Sequence, residues 1–581
     1  MDKRVIKNGK VFTGDFKDHA IIQDILLSSS GDILEIRPDI ESTDSEIIDA
    51  SGKWVMPGFI DTHTHYDAEV IASPGLKESA RHGVTSIVLG SCSVSALYNN
   101  ALDTSDSFTR VEAIPREVML PLLEKEKSWN TSKGWLEFLE QKPLGINIAS
   151  FVGHSDLRMK AMGIKRSLSN EEQATSEEKK MMSALLSDAL DEGFLGLSTM
   201  DNPWDKMDGD KYWSHKTPSF YSSWNERAPL IKMLRERGAI LQGAPNLVTR
   251  VSAFNYAMAS AGIFRKPLKT TMIAMMDLIG DRYIYPLVAT LSSVFNNGFN
   301  ADFRMQSPPV PFTVYYDGVD SVMFEEFPSG EALRHLAKNL DQRNNLIQSK
   351  EFRKQFKNEI KKKFAPKVWH RDLSIAYILK CPDKQLIGKN FYQIAEERHE
   401  HPVDTFLDLV VEYDKKISWT TTIANDRIEK YKKLYNSSNN IISFSDAGAH
   451  LNNMAFYNYP LQMIRRVQES IDNGKPIMSM EKCIWRLTKE QTDWFGLHTG
   501  YLSPGMPADI CILDPLYLSS VVDEITTAPI EEFNGFIRLV NRNPKTVSYV
   551  MVQGKTIFYD DEFVDGYGKT KKFGRFLKKM N

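Results

Sequence analysis

Cysteine is scarce. The 581 residues hold four, Cys92, Cys381, Cys483 and Cys511, with no paired spacing. That argues against a disulfide framework and suits a reducing compartment, so a cytoplasmic setting is expected. Long apolar runs are missing as well: none approaches the ~20 residues of a membrane span. The opening MDKRVIKNGKVFTG is too charged for a secretory leader. Neither sign of charge dominates, because 72 Lys and Arg face 75 Asp and Glu for a net of −3. That balance gives no footing for nucleic acid or for an anionic membrane, and neither is expected as a partner. No low-complexity block interrupts a composition of 42% hydrophobic and 25% charged residues, the balance of a globular protein. Nothing in the sequence sets an oligomeric state.

What is present is alternation. Both ends read as short strands and polar turns: RVIKNGKVFTG with an Asn-Gly hairpin signal and DILLSSSGDILEIRP in front, GYLSPGMPADICILDP and TVSYVMVQGKTIFYDDEFV behind. Between them, strand-like runs recur at 55–63, 84–92, 146–154, 194–199, 239–245, 268–274, 301–306 and 441–448. Helical stretches separate them, such as SEEKKMMSALLSDALDEG with early Glu and a closing Gly. Eight such units predict an α/β fold, a distorted (β/α)8 TIM barrel carrying a small β-sandwich domain built from both chain termini. The expected division is 1–54 and 505–581 for the small domain with its basic tail, and 55–504 for the barrel. Insertions at 93–145 and at the charged, helix-rich 307–440 would shape the barrel mouth. The tail GKTKKFGRFLKKMN is expected to be a solvated end.

Chemistry concentrates in PGFIDTHTHYDAE. On a strand, residues i and i+2 share a side, so His63 and His65 project together, a half-site for a divalent ion such as zinc. An HxH pattern alone also occurs on solvated strands. Asp446, in SDAGAHL after the apolar run IISF, ends the eighth run; it reads either as a helix-capping turn residue or as a metal ligand and acid/base group.

VMPGFIDTHTH, HGVTSIVLGSC, SDAGAHL and GYLSPGMPADICILDP, in this order, resemble the amidohydrolase superfamily. The best match is its D-aminoacylase (N-acyl-D-amino-acid deacylase) group, carried by SIVLGSCSVS, INIASFVGHSDLRMKAMG, FLGLSTM and SDAGAHL. The resemblance implies His63, His65, Cys92 and Asp446 as metal ligands, one or two divalent ions with zinc as the expected metal, and Asp446 as the catalytic proton carrier. Cys92 stands as ligand or as a small core residue. Arg158 stands as a clamp on a substrate carboxylate or as a surface arginine. His154, His215 and Arg304 are further candidates for substrate contact, and His450 for support behind Asp446. The loop DNPWDKMDGDKYWSHKTPSFYSSW could wall an acyl chain. His399 and His401, in EERHEHP, are expected to be solvated.

One absence departs from the family. No histidine lies between His215 and His335, whereas the group completes its second metal position with histidines from the fifth and sixth strands. Three arrangements stay open: one ion on His63, His65 and Asp446; one held through Cys92 with rearranged partners; or two bridged by an unusual ligand, for which Lys269 would have to be carbamylated. The expected activity is hydrolysis of the linear amide of an N-acyl amino acid, a small-molecule substrate whose D configuration is what the resemblance implies. The alternatives are a cyclic-amide hydrolase of hydantoinase or dihydropyrimidinase type, and a catalytically inactive amidohydrolase-like binding protein.

Overall fold

The computed structural model describes the whole chain except residues 1–2, 42–44, 111, 248, 250, 274, 363–366 and 581. Eight parallel strands form the centre: β1 (Phe59–Asp61), β2 (Val84–Leu89), β3 (Asn147–Ser150, resumed at Val152–Gly153), β4 (Gly196–Met200), β5 (Ile240–Ala244), β6 (Lys269–Met272), β7 (Asp302–Gln306) and β8 (Asn440–Ile441). Each pairs with the next, and β3 does so in two halves, the first against β2 and the second against β4. A parallel bridge from Thr64 to Ala447 brings the ends of β1 and β8 together. The result is the distorted (β/α)8 barrel expected from the alternating runs.

The strands are apolar because both of their faces are covered. Ile60, Val88, Ala149, Phe151, Leu195, Ile240 and Ile441 fill the interior, and Trp494, Phe495, Leu497 and Leu577 complete that core. The helix Ser176–Glu192 shows how sequence sets the outer layer. Thr175 and Glu178 form a capping box, Met182, Leu186 and Ala189 face inward, and Gly193 ends it in the left-handed region.

Strands from both termini build one nine-stranded mixed sheet. The front supplies Lys3–Val11, Ile21–Leu27, Ile33–Arg37, Ser45–Asp49 and Trp54–Pro57; the rear supplies Ile510–Leu513, Val547–Val552, Lys555–Tyr559 and Glu562–Phe563. They meet where Trp54–Pro57 pairs antiparallel with Ile510–Leu513. Residues of both ends, among them Ile6, Val11, Ile25, Val55, Ile510 and Met551, share one core separate from the barrel's.

Three local expectations fail. Asn8-Gly9 makes no hairpin: Lys3–Val11 is one strand whose register shifts between Ile6 and Gly9. Asn8 takes φ 61° with its N–H on Asp24 Oδ1, and a Cβ on Gly9 would sit 2.4 Å from Val55 Cγ2. The dipeptide therefore serves a bulge against a neighbouring strand. The insertion 307–440 is not only helical; Phe312–Asp317, Tyr377–Lys380 and Ser418–Ala424 form an antiparallel sheet in it. The tail is docked rather than solvated. Ile148 donates to Arg575 O and accepts from Leu577 N, while the Phe576 ring packs 5.3 Å from that of Phe194.

Candidate functional site

Pairing between the ends of β1 and β8 assembles the centre. His65 N–H donates to Ala447 O at 2.7 Å, and Asp446 N–H to His63 O at 3.2 Å. This sets the Asp446 carboxylate against both imidazoles, with Oδ1 3.4 Å from His63 Nε2 and 3.1 Å from His65 Nε2. The two Nε2 atoms are 3.3 Å apart, and Cys92 Sγ lies 3.5 Å from His63 Nε2. Gly448 permits the approach: it has φ 91°, and a Cβ there would fall 2.7 Å from the His65 carbonyl. Backbone strain collects here too, since Cys92, Ser93, Asp446 and His450 all have positive φ.

The far side of each ring fixes its tautomer. His63 Nδ1 donates to Gln306 Oε1 at 2.6 Å, and His65 Nδ1 lies 3.0 Å from Glu112 Oε1. With protons committed to both Nδ1 atoms, two Nε2 lone pairs face each other, a carboxylate and a sulfur. Lone pairs converging in a buried place repel unless a cation sits among them. His63, His65 and Cys92 also satisfy the geometry of a metal-holding cluster. The residues present therefore fit a divalent ion. The anions around the pair favour a positive charge here, held as a second proton on the imidazoles or, with those protons displaced, as a bound cation. Burial opposes a charge on His63, yet Cys92 and Asp446 push it up to about 9. Burial likewise opposes charge on His65, which Glu112 and Asp446 raise well above the usual value. For Asp446, burial works against ionisation, but the two histidines hold it far below the usual carboxylate range.

Around Cys92, where a second set of ligands would converge, the chain places Met200, Ala244 and Ile273, all apolar. Gln242 of β5 accepts from the Cys92 N–H at 3.0 Å. Lys269 cannot bridge ions here, because it opens β6 at the end away from the cleft that Ile273 lines, and its Nζ donates to Trp494 O at 2.6 Å.

A cleft of about 1070 Å³, counting its open mouth, leads to His65, Cys92 and Asp446. Five methionines, Met200, Met275, Met276, Met323 and Met454, line it with aliphatic and aromatic side chains. Its ionisable lining is His65, Glu112, Asp205, Asp446 and His450 together with Cys92 and Tyr285, and no Lys or Arg lines it among the described residues. Burial, joined by Glu112, pushes Asp205 up to about 7.

The structure brings His63, His65, Cys92, Asp446 and His450 together. It does not bring Arg158, His154, His215 or Arg304 to the cleft. Arg158 is fully buried and forks onto Glu226 at 2.7 and 3.2 Å, with its third nitrogen on the carbonyls of Ser167 and Pro218. His154 is held by Ser219 Oγ at 3.1 Å and faces the same Glu226. His215 is exposed in its loop, and Arg304 lies by Asp302 and Glu490. Of the aromatic loop only Trp204, with Asn202 and Asp205, reaches the cleft. His399 ends one helix and His401 caps the next. Sequence reasoning missed Gln306, Gln242, Glu112 and Asp205. The two glutamines stand on barrel strands, in β7 and β5, a positional signal; Glu112 comes from an insertion and carries none.

A family model described as an amidohydrolase family matches residues 46–203. An uncharacterised protein of Mycobacterium tuberculosis is 43% identical over 541 residues, 92% of this chain and 88% of that one. Among solved structures, a D-aminoacylase aligns with TM-score 0.61 at 19% identity, over 99% of both chains. The N-acyl-D-glutamate deacylase of Bordetella bronchiseptica, solved with zinc and a phosphonate inhibitor, aligns with TM-score 0.60 at 18% identity, again over 99% of both. These two likenesses are of fold. The chain belongs to one family with the Mycobacterium tuberculosis protein; its residues 46–203 match the amidohydrolase family, and its fold is that of D-aminoacylase.

Proposed function

We propose that this protein hydrolyses a linear amide with a large apolar acyl part, using one divalent ion, zinc, held by His63 Nε2, His65 Nε2, Cys92 Sγ and Asp446 Oδ1. The observation that carries the reading is the pair of imidazoles turned ring-out, each with Nδ1 at an acceptor and Nε2 at the centre. An ion bound there supplies Lewis acidity toward the scissile carbonyl and lowers the pKa of water. Asp446, at the floor of the cleft, is placed to take the proton of the attacking water and pass it to the leaving amine. Gln306 and Glu112 keep the histidines oriented, and His450 lines the cleft beside Asp446. The methionine-rich wall receives the acyl group; flexible thioethers adapt to chains of differing shape.

Within this class the fold likeness supports an N-acyl amino acid, of D configuration, as substrate. Acyl contacts rather than a cationic clamp would then carry affinity, since Arg158 is engaged elsewhere. The cyclic-amide alternative loses the lysine it needs, and the apolar setting of Cys92 favours one ion over two.

Elemental analysis tests this directly. The expected result is about one equivalent of zinc per chain, lost in His63→Ala and weakened in Cys92→Ala, with hydrolysis of N-acyl-D-amino acids rising with acyl length. No bound metal after reconstitution, with no thermal response to zinc, would leave the inactive binding protein as the better reading.

A further inference from the structure

The cleft opens beside a surface that is unusual for a globular enzyme. Leu247, Ile284, Tyr285 and Val288 line it, all but Tyr285 partly exposed at its outer edge, and the last three belong to the helix Ile284–Gly298. The helix Val251–Ser260 packs beside it, with the Phe254 and Phe295 rings 5.7 Å apart. Neither helix contains a charged residue. Both turn apolar residues outward at helical spacing: Val251, Phe254 and Met258 on one, Leu287 and Val294 on the other, with Tyr283 just before it. Phe264, in the connection that follows Val251–Ser260, is 104% exposed, and Arg265 and Lys266 beside it are exposed as well. No Asp or Glu occurs anywhere between Glu236 and Asp277, although Arg237, Arg250, Arg265, Lys266 and Lys269 do.

An outward apolar stripe on charge-free helices normally marks a contact surface. Three occupants differ in what they would require. A second copy seated here would lie across the mouth that the substrate must enter. A protein partner would have to do the same. A lipid surface covers the same residues while offering substrate at that mouth. The bulky tip at Phe264, flanked by cations in an acid-free segment, adds charge complementarity to anionic headgroups. We infer that the helices Val251–Ser260 and Ile284–Gly298, with Phe264, form a monotopic docking face for an anionic lipid surface, from which a lipid-like amide passes into the cleft. The sequence balance of charge gave no sign of this, because the acid-free stretch is diluted over the whole chain. No described helix is long and apolar enough to cross a membrane, so the contact is interfacial. The delivery of an amide rests on the proposed hydrolase reading; the docking does not.

The test is co-sedimentation of the full chain with phosphatidylcholine vesicles, with and without a minor share of phosphatidylglycerol. Wild type is expected to bind, more tightly when phosphatidylglycerol is present and less tightly as salt rises. Phe254→Gln/Leu287→Gln and, separately, Phe264→Ser are each expected to weaken binding by about tenfold or more. Zinc content and turnover of a water-soluble short-chain amide are expected to be unchanged in both. Phe264→Ser guards against misfolding, since that side chain touches little. Wild type that ignores both vesicle types overturns the inference, as does a concentration-dependent dimer in the ultracentrifuge that these substitutions dissociate. Vesicle binding without zinc or turnover would sink the hydrolase reading alone.

Discussion

Arg158→Met separates two roles for one residue. A carboxylate clamp would leave stability alone and raise KM; the structure makes Arg158 part of the fold. Its guanidinium is fully buried, forked on Glu226, and bonded to two backbone carbonyls. Burial opposes ionisation of Glu226, but His154 and Arg158 hold it at about 2, so it is a carboxylate at neutral pH. Truncating Arg158 strands that charge beside a histidine that burial keeps neutral. Breaking a buried pair from one side costs about 3–5 kcal/mol. Glu226→Leu alone should cost a similar amount by stranding the guanidinium. The double variant Arg158→Met/Glu226→Leu should recover much of the loss, because apolar replacement of a whole buried pair is often near neutral. The assay is thermal unfolding of the four proteins, with kcat and KM on an N-acyl-D-amino acid for those that fold. The expected pattern is a fall of several degrees in each single variant, partial recovery in the double, and KM nearly constant. A KM raised about tenfold or more with an unchanged unfolding temperature refutes the structural role.

Gly448→Ala should loosen the site without touching a ligand, because the added Cβ meets the His65 backbone at 2.7 Å. Metal affinity should drop by about tenfold or more, while Gly474→Ala, also at positive φ but facing open space, leaves it unchanged; titration with zinc reads the difference, and equal affinities would refute the account. His82 offers a pH test away from the site. Burial, joined by the Arg81 charge, holds it at about 3, so it stays neutral in the fold and gains a proton only on unfolding between its ordinary value and that one. Its contribution is complete above pH 6.5 and is lost as pH falls toward 3, so the wild type should lose ground to His82→Leu by about 1.4 kcal/mol per unit between pH 6 and 4. Parallel stability curves for the two proteins over that range would refute the assignment.

The barrel was legible because its strands are buried on both faces and stand out as short apolar runs between amphipathic helices. Each of the eight expected runs overlaps a strand, the last of them only at Ile441. What the runs could not convey was contact between distant segments. Asn8-Gly9 looks like a hairpin until Val55 is seen lying over Gly9. The tail looks solvated because its lysines outnumber its apolar residues, yet Phe573, Phe576 and Leu577 pack inward and backbone hydrogen bonds tie the segment to the barrel. The sheet inside 307–440 escaped notice because its strands are separated by long helical stretches.

The candidate site divides along the same line. Groups at strand ends are legible, since the C-terminal rim of a barrel is where strand ends converge; His63, His65, Cys92 and Asp446 all lie there. Charge misleads elsewhere: a sequence does not show whether an arginine faces a ligand or, like Arg158, an internal glutamate. The missing histidines of the fifth and sixth strands left three metal arrangements open. Met200, Ala244 and Ile273 around Cys92 narrow them. These side chains line the same cleft as Met275 and Met276, so the residues that deny a second ion its ligands also extend the apolar wall. Apolar residues at these positions would then have two effects under the proposed hydrolase reading. On that reading, the HxH pair, the thiol and Asp446 hold the polarising ion, and the apolar wall takes the acyl chain. Restoring a histidine at Ala244 should therefore favour a second ion and shorten the acyl group accepted, and a variant that did only one of these would separate the two effects.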